Sequence, residues 1–188
     1  METTHPSPLG RAALVYAVAC VLALLVLSRA QAPLERFGAL HPGAVLLGRD
    51  PLAGLLWGLG LGGILAGSSQ AISRWTPWGR RLSRLLARIV GSLHPADALL
   101  LSALSSFAEE IIFRGVILPY LGLVVSSILF GLAHVIPRKG LWPWSLWALL
   151  AGLCLGWVAL ATNGLLASIL AHFTVNAVGL LLLAERSD

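Results

Sequence analysis

The sequence predicts an all-α protein, a polytopic bundle of about six transmembrane helices with a basic amphipathic helix at its edge. Three observations carry this. The 188-residue chain is 57% hydrophobic and only 11% charged, where soluble domains carry about 25% charged residues. Residues 12–28, 51–73, 115–137 and 140–184 contain no Asp, Glu, Lys or Arg, and the last two runs hold only His134 and His172. The arginines gather between these runs. A helix that crosses a bilayer needs roughly 20 apolar residues, and the runs supply them.

The spans read as 12–28, 51–68, 97–117, 119–136, 143–161 and 164–183. Arg11, the run 12–28 and the A-x-A spacing of Ala30 and Ala32 loosely fit a secretory leader. The apolar part of a leader is about 7–15 residues, so 12–28 is expected to be an uncleaved first span. The second span carries Gly54, Gly58 and Gly62 four apart, and the fifth carries Gly152 and Gly156. Small residues at this spacing let helices approach closely in lipid, and packing within the protein is their expected use. Trp142, Trp144 and Trp147 beside Arg138 and Lys139 resemble an interfacial aromatic belt, and Pro143 suits the first turn of the fifth helix. Asn163 and Gly164 suit a tight turn before the sixth.

Residues 80–95 differ from a span. Leu82, Leu85, Leu86, Ile89, Val90 and Leu93 recur at helical spacing, with arginines opposite. This is the pattern of a helix lying in the membrane interface; the alternative is a helix packed on the spans. The chain therefore divides into residues 1–96, with two spans and the amphipathic helix, and residues 97–183, a four-helix core.

Charge sets the expected orientation. Arg11, Arg74, Arg80, Arg81, Arg84, Arg88, Arg138, Lys139 and Arg186 fall on one side of a six-span chain, and only Arg29, Arg36 and Arg49 on the other. The positive-inside rule then places both termini in the cytoplasm, with a prokaryotic plasma membrane as the expected location. The net charge of +5 is thus a topology signal, and nucleic acid is not an expected partner. Cys20 and Cys154 lie in apolar runs without metal or disulfide spacing and read as small buried hydrophobes.

The third span holds the one charged cluster inside an apolar run, "EEIIFR" at 109–114. A central Arg or Asp costs about 2.5–3.5 kcal/mol to insert, so such residues usually face the bundle interior and serve a function. Glu110 and Arg114 lie four apart, the favourable order for a helical ion pair. Glu109 points elsewhere, a carboxylate without an adjacent cation and a candidate general base. Later spans offer "FGLAH", with Phe130 one turn before His134, and "HFTVN", with His172 and Asn176 one turn apart. A carboxylate, two imidazoles and an amide suffice to hold a water, deprotonate it and stabilise an oxyanion. Each feature has a plainer explanation: a packing lock for Glu110 and Arg114, backbone-bonded histidines, Asn176 as helix glue, Phe130 and Phe113 as core. The combination on three helices outweighs them.

These three motifs resemble the EExxxR, FxxxH and HxxxN motifs of the CPBP family. That group includes the type II CAAX prenyl endopeptidases and the bacteriocin-processing or Abi-type membrane proteins. The resemblance covers residues 97–183 and implies an intramembrane endopeptidase. It implies Glu109 as the base, His134 helping to hold the water, and His172 with Asn176 polarising the scissile carbonyl. Glu110, Arg114 and Phe130 are implied as supporting residues. The implied substrate is a membrane protein or a lipidated, CAAX-type peptide, met within the lipid bilayer. Glu109, His134 and His172 would also make a three-ligand zinc site with an open position. The HExxH pattern is absent, and a ligated Glu109 would leave the base to another residue. A site without metal or other cofactor is therefore expected. A serine protease is disfavoured because Ser68, Ser69, Ser105 and Ser106 sit in no nucleophile motif. An aspartyl one is disfavoured because Asp50, Asp97 and Asp188 lie near span ends. A transporter is disfavoured by the lack of an inverted repeat. A non-catalytic immunity or scaffold protein is the remaining alternative.

Overall fold

The computed structural model describes residues 8–39 and 41–185, and every regular element among them is helical. Helix α1 spans Pro8–Arg29. Two one-turn helices follow, α2 Ala32–Phe37 and α3 Pro42–Leu47, then α4 Pro51–Trp75 and α5 Pro77–Val90. Next come α6 Pro95–Glu110, a π-helical segment Ile111–Ile117 and α7 Leu118–Ala133. The last two are α8 Trp142–Ala161 and α9 Leu166–Ala184. Prolines open most of these helices, where the missing N–H is harmless. Asp50 caps α4 by accepting from the N–H groups of Leu52 and Ala53, both at 3.0 Å.

Among the described residues, five helical stretches are long and apolar enough to cross a bilayer. The third, Pro95–Ala133, is a folded pair. Gly122 inside α7 has φ 78° and ψ 172°, a conformation only glycine adopts freely. The chain reverses there. Ser126 Oγ donates to the carbonyl of Phe113 at 2.7 Å, and the Phe113 and Phe130 rings lie 5.0 Å apart. A straight helix would separate those partners by roughly 20–25 Å.

Two expectations are corrected here. The break between the third and fourth spans lies at Gly122 and not near residue 118. The span expected at 119–136 is a return limb, 123–133, of about 16 Å, short of the ~30 Å hydrocarbon core. Pro119 suggests a boundary, but the helical backbone runs into it without a break, Ile117 and Leu118 both being right-handed helical.

Helix α9 packs on α4, α6, α8 and α5. The glycine stripe of α4 makes its closest contact with α9. A Cβ on Gly58 would lie 2.8 Å from the carbonyl oxygen of Ala167, and one on Gly62 would lie 2.7 Å from Thr174 Cβ. The stripe thus serves internal packing. Gly58→Val is expected to destabilise the protein by about 1–3 kcal/mol through overpacking. Gly60→Val, which faces open space, is expected to change stability little. Denaturation in detergent micelles measures both. Helix α1 joins the same bundle, with Ala23 and Leu27 in one buried cluster with Ile111, Ala159 and Leu165. Large apolar side chains such as Leu14, Val18, Ile64 and Val124 are exposed on the outside, the surface expected of a bundle solvated by lipid.

Helix α5 begins at Pro77 and ends at Val90, so Leu93 falls outside its apolar face. Its buried stripe is Gly79, Ser83 and Ala87, and Arg80, Arg81, Arg84 and Arg88 are exposed. Small residues win because α5 lies directly on the end of α4, where a Cβ on Gly79 would run into the Ile72 carbonyl. A Cβ on Gly140 would lie 3.4 Å from Leu85, so the basic segments 74–88 and 138–139 share one end of the bundle. At the other end Leu165 N–H donates to the carbonyl of Val45 at 2.9 Å. Cys20 and Cys154 are free thiols. Arg186 and Asp188 lie outside the described residues.

Candidate active site

The hairpin at Gly122 places the site. Glu109 lies 13 residues before the turn and His134 lies 12 after it, so both sit roughly 18–20 Å along their limbs, at one level. Helix α9 brings His172 to the same level. Nε2 of His134 lies 3.6 Å from Glu109 Oε2, and Nε2 of His172 lies 3.9 Å from it. Glu109 Oε2 is buried and accepts no hydrogen bond from the protein.

The opposite edge of each ring explains its direction. His134 Nδ1 is 2.7 Å from the carbonyl of Phe130. A carbonyl only accepts, so Nδ1 carries the proton and Nε2 presents its lone pair in the neutral ring. His134 ends α7 with φ −94° and ψ 10°, outside helical geometry, which lets its ring fold back onto the preceding turn. His172 Nδ1 is 2.8 Å from Glu110 Oε1, and the same reasoning directs Nε2 of His172 at Glu109. The carboxylate of Glu109 and the two imidazole edges therefore converge, an arrangement in which a water donates to two of the three acceptors.

Glu110 and Arg114 are fully buried and joined at 2.7 Å. They face each other across the start of the π-helical segment Ile111–Ile117; such turns recur at functional sites. Arg114 Nη2 also donates to the Gly152 carbonyl at 3.0 Å, and its guanidinium lies 4.4 Å above the Phe130 ring centroid. Gly152 permits that approach, since a Cβ there would crowd Phe130 and Arg114 at 3.3 and 3.4 Å. The Phe130 ring is in turn 4.4 Å from His134 and 5.6 Å from His172. Phe130 thus abuts both rings, tilted against His134 and edge-on to His172, as well as being a core residue. Asn176 Nδ2 donates to Ser105 Oγ at 3.0 Å, leaving its second N–H uncommitted to that bond.

A cavity of about 350 Å³ opens from Glu109, His134 and Asn176 toward the end of the bundle covered by α5. Its walls are mostly apolar, with Leu82 and Leu86 of α5 on one side and a polar strip, Ser69, Gln70 and Ser73, from α4 on another. Among the described residues no group of three His, Cys, Asp or Glu side chains is gathered closely enough to hold a metal ion.

Sequence reasoning overlooked three contacts. It paired Glu110 with Arg114 but not with His172. It treated Ser105 only as a possible nucleophile. It did not mention Tyr16, whose hydroxyl donates to Glu109 Oε1 at 3.1 Å. Helix spacing within one segment reveals none of these, because each joins segments more than 60 residues apart.

Comparison with known families bears on the same region. Residues 91–178 match the family model for Type II CAAX prenyl endopeptidase Rce1-like proteins. This segment is an Rce1-like domain. It contains all three motifs, "EEIIFR", "FGLAH" and "HFTVN". The protein is accordingly an all-α membrane protein carrying a domain of a protease family. Helices α1 to α5 precede the Rce1-like domain, yet α1, α4 and α5 supply part of the cavity wall. No curated protein and no solved structure matches the chain.

Proposed function

We propose that this protein is an intramembrane endopeptidase that cleaves a membrane-associated or lipidated, CAAX-type substrate with a water activated by Glu109. The observation that carries the reading is the convergence on Glu109 Oε2. A buried carboxylate oxygen without a protein donor faces Nε2 of both His134 and His172 within 4 Å, at the head of an apolar cavity.

In the reaction, water sits between Glu109 Oε2 and His134 Nε2 and donates to both. As its oxygen bonds to the scissile carbonyl carbon, its proton passes to Glu109. The second amide N–H of Asn176 donates to the oxygen that becomes negative, and His172, its Nδ1 proton held by Glu110, turns its Nε2 toward Glu109 and the water. The C–N bond then breaks, and Glu109 returns its proton to the departing amine. Arg114 balances the charge of Glu110, and Phe130 fixes both rings. The chemistry as written needs no metal. The arginine-rich end, by the positive-inside rule, faces the cytoplasm, so substrate reaches the cavity from that side.

The test uses protein in liposomes and two internally quenched peptides. One is a CAAX-type peptide farnesylated on its cysteine, and the other is an unmodified transmembrane peptide. Cleavage of either supports the endopeptidase, and the preferred one names the substrate class. Exhaustive chelation followed by metal analysis is expected to leave the rate unchanged. Loss of activity that returns on adding zinc would overturn the metal-free chemistry. Absence of cleavage, with proton or solute flux instead, would overturn the protease.

A further inference from the structure

The Rce1-like segment begins at residue 91, yet one contact to Glu109 comes from α1. Tyr16 Oη donates to Glu109 Oε1 at 3.1 Å, across 93 positions of sequence. The Tyr16 side chain also lines the cavity. Helix α1 is well anchored around it. Cys20 Sγ lies 3.8 Å from the carbonyl oxygen of Leu104 on α6, and Ala23 and Leu27 are buried with Ile111.

This contact makes the two oxygens of Glu109 unlike. Oε1 is held by the phenol. Oε2 has no protein donor and faces the two imidazoles. A glutamate side chain has three torsions, and the last is broad, so a carboxylate in a cavity wall does not keep one oxygen forward unaided. A hydroxyl fixed to a packed helix supplies the restraint, because a hydrogen bond to a charged acceptor is among the stronger ones.

We propose that Tyr16 is a positioning residue, its hydroxyl holding Glu109 Oε1 so that Oε2 is presented to water, His134 and His172. On this account α1 is part of the active site although it lies outside the matched segment. The inference rests on Glu109 being the base, and its test separates the two.

The chain has two tyrosines, Tyr16 and Tyr120, and Tyr120 is exposed. Tyr120→Phe therefore leaves a single tyrosine for labelling with carbon-13 at Cζ. In detergent micelles its resonance is expected to shift when Glu109→Ala removes the acceptor. A resonance that ignores Glu109→Ala overturns the contact. Tyr16→Phe keeps the ring and removes only the hydroxyl. It is expected to lower kcat on whichever quenched peptide is cleaved by about 10–100-fold, the scale of a hydrogen bond to a charged group. KM and the thermal midpoint are expected to stay near wild type, a split that mere loss of packing would not give. An unchanged kcat overturns the positioning role. If wild-type protein cleaves neither peptide, the protease reading fails and the role falls with it, while the tyrosine resonance still decides the contact.

Discussion

Glu109→Gln is expected to lower peptide cleavage by at least about 10³-fold, toward the upper part of the range for a positioned general base. Folding and insertion are expected to be unaffected. Glutamine has nearly the same shape, and its amide oxygen still accepts from Tyr16, where Glu109 Oε1 does now. Its NH₂ would replace Oε2, opposite two imidazole lone pairs, where it donates rather than repels. The protein is thus at least as comfortable with the amide as with the carboxylate, and only proton abstraction is lost. That makes glutamine a sharper test than alanine, which would also open space in the cavity wall. The measurement is the single-turnover rate in liposomes, with the thermal midpoint as control. Full activity in Glu109→Gln would sink the general-base role. His134→Ala and His172→Ala serve as companions. If Glu109→Gln is inactive while both histidine variants cleave normally, the carboxylate acts without the imidazoles, and the water-holding arrangement is wrong.

The bundle was legible because lipid imposes simple rules. Uncharged runs of sufficient length marked α1, α4, α8 and α9; the structure places α1, α8 and α9 within a few residues of the expected spans, and α4 runs on past residue 68 to Trp75. The turn at Asn163, with φ 52°, followed from residue type. The hairpin at Gly122 did not, because a glycine among apolar residues reads equally well as a packing site. Only the backbone reveals its left-handed φ. The same limit held for α5, whose leucine row was visible but whose buried stripe of Gly79, Ser83 and Ala87 was not. Composition records what a helix could bury, and the neighbour decides what it does bury. In the site, spacing on one helix separated Glu109 from the Glu110–Arg114 pair. The partners of each carboxylate come from other helices, and no periodicity in a single segment encodes which helices meet. Tyr16 is the clearest case: in α1 it looks like an ordinary residue near a membrane interface.

Arg114→Met is expected to destabilise the protein by about 3–5 kcal/mol, the scale for leaving one member of a buried ion pair alone. Methionine keeps much of the length that lies against Phe130 but removes the charge. Glu110 would then be a fully buried carboxylate beside His172 without its cation. The fall should appear as a lower thermal midpoint in micelles and a smaller folded fraction. The double variant Glu110→Leu/Arg114→Met removes both charges together, and most of the stability is expected to return, because a buried pair replaced by apolar groups of similar volume is often close to neutral in energy. Activity is expected to behave differently. His172 loses the carboxylate that orients its ring, and a misplaced group can lower the rate about 10²-fold even where the fold is intact. A double variant that recovers stability and remains slow assigns Glu110 two tasks, neutralising Arg114 and directing His172. Recovery of both would reduce the pair to a packing lock. The distinction follows from one geometric fact: Glu110 Oε1 accepts from Arg114 at 2.7 Å and from His172 at 2.8 Å, so charge balance and ring orientation share a single oxygen.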